Sequence, residues 1–539
     1  MVQFRPALTI ILLAGILFAA SFMRLWRLVE YPVSLTVDEV SIGYAGYSLL
    51  LTGRDEWNKP LPIVFYSLGD YKPPVNYYLQ VPAIALLGLS ELSVRLPVAV
   101  LGILSSIVAV VLLRRLNLPL FAALFGGLWL AVSPWHTHFS RFGIEAVSAL
   151  FFTLCGVALY LAALARRSVF RLCLAVVCLA LAVWSYHATR LFIPLLAVFL
   201  LVATRGSLAR VLTSRIKRAL ILAVLAIFAL PFVYLTVFSP AVRARAAMTS
   251  IFRDPFLLPT LHQGSYSSLA ENIFDHDWYL IFHHWISKYT DYFDLRLWFF
   301  KGLNFTPPGY PDLGLLYLLD LPLFIVGIWY LVKKAPPLTR HLALFWLFAG
   351  PLAASFTMND QHTLRALIWL PFFGLTVSAG IAQAKRLIPV YLLLLPLFAA
   401  LFWDFYTVQY PKYFAEARHW GYKEAAVFAC ANQDKYDRII ISPEFGTLGP
   451  FFRGVPDYYV MFYCSYSPDR FLATRRIPKF DFIKVDWRKE REMHLNSLLI
   501  APRWDFPNLT PPADYVIHRL DYPLTDIPAF YFVETRKGL

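Results

Sequence analysis

Eleven apolar stretches in this chain approach the length of a bilayer crossing, and nothing else restricts its fold as much. They run 7–23, 94–113, 120–135, 146–165, 171–187, 190–204, 219–238, 313–332, 341–356, 365–384 and 387–404. A helix needs about 20 apolar residues to cross the hydrocarbon. Within lipid, a helix satisfies every backbone amide and carbonyl by itself. Of the 539 residues, 58% are hydrophobic and 15% charged, and the mean hydropathy is +0.57; soluble domains carry about 25% charged residues. The expected fold is therefore an α-helical polytopic membrane protein of about 11 transmembrane helices.

The net charge of +15 invites a nucleic-acid reading, but the positions of the charges oppose it. Basic residues fall in short loops between apolar spans: Arg114-Arg115, Arg166 to Arg171, Arg205 to Arg218, Lys333 to Arg340 and Lys385-Arg386. None of these loops holds an acidic residue. Lys and Arg mark cytoplasmic loops. That rule places Asp38, Glu39, Glu145, Asp360 and everything after the last span on the other side. The expectation is a multi-pass protein of the plasma (inner) membrane with an extracytoplasmic working face and no nucleic-acid partner. The run Ala7–Met23 follows one basic residue, Arg5, without an evident cleavage site, and reads as a retained first helix.

Residues 1–404 form the expected membrane domain, with large outer loops at 24–93 and 239–312 that lie on the membrane face through interfacial helices. From 405 to 539 the chain turns polar and Pro-rich. Arg438–Ser442 and Asp514–Ile517 read as strands there, so a small C-terminal α/β exterior domain is expected. Cys155, Cys173 and Cys178 fall in apolar spans as packing residues. Cys430 and Cys464 lie in the polar region and are a candidate disulfide in an oxidising compartment, which spacing alone does not establish.

Candidate chemistry gathers on the outer side. Between Leu92 and Arg253, Glu145 is the only acidic residue. A carboxylate kept at a membrane boundary points to function more than to stability, although Arg141, four residues earlier, is also spaced for a helical ion pair. Asp38 and Glu39 follow the first span, where a carboxylate accepts a proton from a nucleophile or simply caps a helix. Lys72-Pro73-Pro74 sets a cation on stiff backbone, suited to a phosphate or to snorkelling at the interface. In Asn359–Arg365, His362 and Arg365 share a helical face and Arg suits a phosphate; a solvated loop is the plain alternative. His136 and His138 form a weak metal-like pair. Asp275-His276-Asp277-Trp278 superficially resembles a metal site, but Trp278, Tyr279, Phe282 and Trp285 at helical spacing favour an interfacial helix. There is no P-loop, dinucleotide turn or Gly-x-Ser-x-Gly elbow. An enzyme on the outer side needs a donor that the membrane delivers.

Taken in order, Asp38-Glu39, Lys72-Pro73-Pro74, Glu91 to Pro97, Ser140-Arg141 with Glu145, Leu315 to Pro322 and His362 to Arg365 resemble the GT-C superfamily of polyprenyl-phosphate-sugar glycosyltransferases. The likeness is to bacterial protein O-mannosyltransferases and lipid A aminoarabinose transferases, and it covers about residues 7–404. It implies inverting transfer of a monosaccharide from a polyprenyl-phosphate sugar donor to a lipid, glycan or protein acceptor. In that scheme Asp38 is the base and Glu39 orients the acceptor or the sugar. Lys72 and Arg365 neutralise the leaving phosphate, with His362 or Arg141 assisting. Tyr44, Tyr71, His136 and His138 complete the candidate substrate-binding set. No cofactor and no metal is required. Relatives often carry Asp at the position of Glu145, whose role stays open between acceptor binding and support of the first loop. The competing readings are an oligosaccharide transferase or ligase with a polyprenyl-diphosphate donor and a divalent metal, a transporter or flippase, and a ligand-binding receptor.

Overall fold

The computed structural model describes residues 6–239, 249–253, 276–302, 312–358, 361–493 and 496–535. Ten helices come first: α1 (Pro6–Leu25), α2 (Val37–Thr52), α3 (Val75–Leu87), α4 (Glu91–Arg115), α5 (Leu120–Val132), α6 (Pro134–Ser140), α7 (Ala146–Arg166), α8 (Val169–Ser185), α9 (Thr189–Val211) and α10 (Arg215–Phe238). Asp277–Asp291, Leu321–Lys333, Pro337–Ala349, Leu370–Gln383 and Ile388–Asp404 follow. Among the described residues, six helices are long and apolar enough to cross a bilayer: α1, α4, α7, α9, α10 and the continuous stretch Lys385–Phe414. The other expected spans coincide with shorter helices. Outward faces are apolar as lipid contact requires: Ile10, Ile11 and Phe18 of α1 are exposed, and α10 buries none of its side chains.

The last span does not stop at the expected boundary after residue 404. A π-helical turn, Phe405–Gln409, carries it into Tyr410–Phe414. Phe402, Tyr406, Tyr410 and Phe414 recur at helical spacing and stack in succession at 5.2, 5.7 and 4.8 Å. This aromatic ladder keeps the helix going beyond its apolar stretch.

Within the outer loop 24–93, α2 and α3 flank a hairpin of β1 (Phe65–Ser67) and β2 (Asp70–Lys72). The C-terminal region holds the hairpin β4 (Glu444–Phe445) with β5 (Phe452–Arg453), and a five-stranded sheet. The sheet comprises β3 (Arg438–Ile441), β6 (Phe480–Asp481), β7 (Ser497–Ala501), β8 (Val516–Asp521) and β9 (Pro528–Glu534), in the order β6-β3-β7-β9-β8. β6, β3 and β7 run parallel; β9 and β8 are antiparallel. The expected strand at Arg438–Ser442 is thus found. That at Asp514–Ile517 starts later, at Val516, because Ala513–Tyr515 forms a 3₁₀ turn. Cys430 and Cys464 are disulfide-bonded with their Cα atoms 6.0 Å apart, joining helix Tyr422–Asn432 to helix Pro456–Tyr463.

Helix Pro456–Tyr463 lies against α2. A side chain at Gly43 would strike Phe462, and Tyr459 donates to the Leu35 carbonyl at 2.7 Å. In the membrane region, a Cβ at Gly327 would collide with the Thr376 carbonyl oxygen, and one at Gly380 with that of Leu323. Helices Leu321–Lys333 and Leu370–Gln383 therefore meet backbone to backbone, the close approach that small residues permit in lipid. Gly327→Val and Gly380→Val should each destabilise the folded protein by about 1–3 kcal/mol through overpacking. Thermal unfolding in detergent checks this, with Gly206→Val as the neutral control because nothing lies within 4 Å of a Cβ there.

Candidate active site

Glu39 organises the outer face. Thr36 caps α2 in a capping box: its hydroxyl takes the Glu39 N–H, and Glu39 Oε2 takes the Thr36 N–H at 2.9 Å. The same carboxylate is fully buried and receives Arg95 of α4 at 3.1 Å, Arg418 at 2.9 Å and the Gly143 N–H at 3.0 Å. Burial alone would raise the pKa of this acid. Arg95 and Arg418, with the Thr36 and Gly143 amides, pull it down to about 2. Arg95 also donates to the carbonyls of Leu28, Val29 and Ser34, and Arg418 donates to that of Ser34. One carboxylate thus ties together the first loop, α4, the turn before α7 and the C-terminal region. Glu39 was expected to orient substrate; its two oxygens are instead committed to protein donors.

Asp38, one residue earlier, faces the other way. Its side chain is 41% exposed, and it receives Lys72 Nζ at 2.9 Å. Lys72 also meets Asp70 at 3.5 Å, because Asp70 and Lys72 are two apart on β2 and share a face. Glu145, buried at the head of α7, acts electrostatically on Lys72, Asp38 and Asp70. Burial works against the Lys72 charge, but Asp38, Glu145 and Asp70 outweigh it and hold its pKa above the ordinary value. Burial pushes Glu145 up, with Lys72 opposing. Gly143 sets the approach of this turn: a Cβ there would meet the Val94 backbone, and its carbonyl accepts from Asn76 of α3 at 2.9 Å.

Several sequence candidates lie elsewhere. Arg141 is buried and donates to the carbonyls of Met23, Trp26, Arg27 and Tyr31, with its guanidinium over Trp403 and Tyr406. It clamps the end of α1 rather than standing at a phosphate, and it forms no pair with Glu145. His136 is buried with Nδ1 2.7 Å from Arg24. His138 is caged by Phe139, Phe142, Tyr406 and Tyr410. Neither is open to substrate, because α6 is buried along its whole length. Tyr44 is buried too, its hydroxyl on the Tyr466 carbonyl at 3.1 Å, so it serves the contact between α2 and the C-terminal region. Tyr71 stays half-exposed beside Tyr66, 5.0 Å away across the hairpin.

His362 and Arg365 belong to a second cluster. The His362 N–H donates to the Tyr292 hydroxyl at 2.9 Å, and Gln361 donates to the Asp291 carbonyl at 2.6 Å. Trp135 of α6 donates to the Thr363 carbonyl at 3.2 Å. Burial, reinforced by Arg365, lowers His362 to about 3, leaving it neutral. Asn359, Asp360 and Asp275 lie outside the described residues. Helix Asp277–Asp291 carries exposed Trp278 and Phe282, with Trp285 stacked on Phe356 at 5.1 Å, as an interfacial helix would.

Arg418 and Asp70 are the residues that sequence reasoning missed. Alternation along β2 was the available signal for Asp70; Arg418 stands in no pattern.

The site and scaffold together define a multi-pass membrane protein whose clustered carboxylates sit where the helical bundle meets a sheet-bearing C-terminal region. A family model described as dolichyl-phosphate-mannose-protein mannosyltransferase matches residues 71–234. No curated protein matches the chain by sequence. Among solved structures, the chain is similar to ArnT from Cupriavidus metallidurans bound to undecaprenyl phosphate: 16% identical, covering 98% of each chain, TM-score 0.55. It is also similar to the archaeal oligosaccharyltransferase AglB from Archaeoglobus fulgidus, in complex with an inhibitory peptide and a dolichol-phosphate: 13% identical, covering 92% of this chain and 69% of that one, TM-score 0.52. The chain has the fold of the GT-C glycosyltransferases.

Because the folded state lowers the Glu39 pKa, its stabilisation is complete above the unfolded value of about 4.3. It is lost as pH falls through the folded value of about 2. Stability should decline across that window, and Glu39→Gln should flatten the decline. At neutral pH Glu39→Gln should cost about 3–5 kcal/mol, since it strands two buried guanidinium groups. Unfolding followed by tryptophan fluorescence as a function of pH measures both.

Proposed function

We propose that this protein transfers a monosaccharide from a polyprenyl phosphate to an extracytoplasmic lipid, glycan or protein acceptor, with inversion at the sugar. The observation that carries the reading is the Asp38 carboxylate: half-exposed, held by part-buried Lys72, and next in sequence to the residue that anchors the whole face. In this mechanism Asp38 accepts the acceptor proton as the acceptor oxygen attacks the anomeric carbon, and the phosphate leaves from the opposite side. A fixed carboxylate needs no reorganisation to receive that proton. Lys72 has three N–H donors. One is directed to Asp38, with Asp70 an ion-pair neighbour at 3.5 Å, and another is assigned to the departing phosphate together with Arg365. Glu145 behind Lys72 keeps the ammonium charged and in place.

The arrangement of the basic residues supports an extracytoplasmic site. α4 starts at Glu91, which contacts the C-terminal Lys423 and Tyr463, and ends at Arg114-Arg115; α7 starts beside Glu145 and ends at Arg166. The basic ends therefore lie away from the acids, as cytoplasmic ends should. The lipid-bound phosphates in the ArnT and AglB structures support a polyprenyl-phosphate donor.

A second reading, a ligase acting on a diphosphate donor, draws on the convergence of Asp38, Asp70 and Glu145. Carboxylates are what a divalent ion requires, but among the described residues no three His, Cys, Asp or Glu side chains are placed to hold a metal. A metal would have to displace Lys72, so the favoured mechanism uses none.

Asp38→Asn should lower kcat by about 10²–10⁴-fold while leaving the unfolding temperature unchanged; retained turnover of a polyprenyl-phosphate sugar removes Asp38 as the base. Lys72→Ala and Arg365→Ala should impair donor use more than acceptor use, read as separate KM values. Chelator treatment should leave turnover intact, and metal-restored loss would favour the ligase. A cysteine placed beside Glu145 should react with an impermeant reagent only from the extracytoplasmic side.

A further inference from the structure

The C-terminal sheet carries a second constellation that shares no residue with the Asp38 cluster. β6, β3 and β7 are parallel, so their carboxyl ends lie along one edge. Open α/β sheets bind ligands in the crevice beyond such ends. The loops leaving β6 and β7 line an open, solvent-facing depression of about 430 Å³ there, bounded by Lys484, Trp487, Arg488, Trp504, Asp505 and Phe506. That volume lies within the range of small-molecule sites.

Its parts are built rather than incidental. Trp487 and Phe506 form a buried aromatic floor, held by Tyr515 and Tyr531. Trp504 is a fixed, half-exposed wall: its indole N–H is bound to the Gly446 carbonyl at 2.7 Å, and the Arg503 guanidinium covers the ring at 4.3 Å. Asp505 is buried. Its Oδ2 takes the Val485 N–H at 3.0 Å and the Ser442 hydroxyl acts on the carboxylate, yet Oδ1 has no hydrogen-bond partner. A buried acceptor left unmade is costly, about 1–3 kcal/mol. Lys484 and Arg488 stand exposed at the rim, Lys484 3.5 Å from Glu444.

This combination selects a ligand chemistry. Charged groups at rim and floor exclude an apolar ligand. The Asp505 carboxylate in the floor disfavours a simple anion. A pyranose offers an apolar face for an indole and hydroxyls that donate to a carboxylate and accept from Lys and Arg. We infer that the pocket beyond β6 and β7 is a saccharide-binding site for one or two sugar units, separate from the transfer site. It does not rest on the catalytic assignment of Asp38.

The test uses the full-length protein in nanodiscs and saturation-transfer NMR with methyl α-mannoside, N-acetylglucosamine and maltose. At least one of the three should receive saturation, and Trp504→Ala should weaken its Kd by about tenfold or more. The rim double variant Lys484→Ala/Arg488→Ala should weaken it as well, and keeps the test intact if Trp504→Ala does not fold. Asp38→Asn should leave binding unchanged, so loss of transfer activity and loss of this site are separately readable. No saturation of any of the three sugars, binding indifferent to both pocket variants, or displacement by inorganic phosphate would each overturn the inference.

Discussion

Glu39 holds a full charge where water does not reach it, and the outer face depends on how that charge is met. Isolated, a buried carboxylate would be protonated or expelled. Two guanidinium groups and two backbone amides make it stable, and each comes from a different part of the chain. Arg95 arrives from a membrane helix, Arg418 from the C-terminal region, Gly143 from the turn that presents Glu145, and Thr36 from the head of α2. Removing any donor would leave charge uncompensated, so the geometry is cooperative rather than additive.

Asp38 inherits its position from that arrangement. Adjacent residues at a helix start point in different directions, so fixing Glu39 inward leaves Asp38 outward beside Lys72. The hairpin delivers Lys72 and Asp70 on one strand face, and the turn clasped by Asn76 delivers Glu145. Electrostatics sets the direction of each shift: Asp38, Glu145 and Asp70 raise Lys72 against burial, while burial raises Glu145 with Lys72 opposing.

Membrane residues with polar side chains follow the same rule at the bundle's outer end. Arg141 and His136 were candidates in so apolar a sequence, and intramembrane charge is a reasonable pointer to function; Arg24 joins them in the structure. Here these groups instead satisfy the carbonyls where α1, α5 and α6 meet. Their residue types gave no way to tell a carbonyl clamp from a phosphate ligand. Both uses require a buried guanidinium with several acceptors, and only the identity of the acceptors separates them.

The apolar runs, the one-sided distribution of Lys and Arg, the isolated Glu145 and the change of composition near residue 405 were sufficient to read a helical membrane bundle with a sheet-bearing C-terminal region. They also put Asp38, Lys72 and Glu145 on one side of the membrane, because hydrophobic length and charge placement are local properties; their joining into one site came with the resemblance to the GT-C superfamily. The division between the neighbours Asp38 and Glu39, the recruitment of Arg418 across 379 residues and the burial of Tyr44, His136 and His138 belong to tertiary structure alone. Whether a charged side chain meets protein or solvent is set by what packs over it, and those partners are distant in the chain and carry no spacing by which to find them.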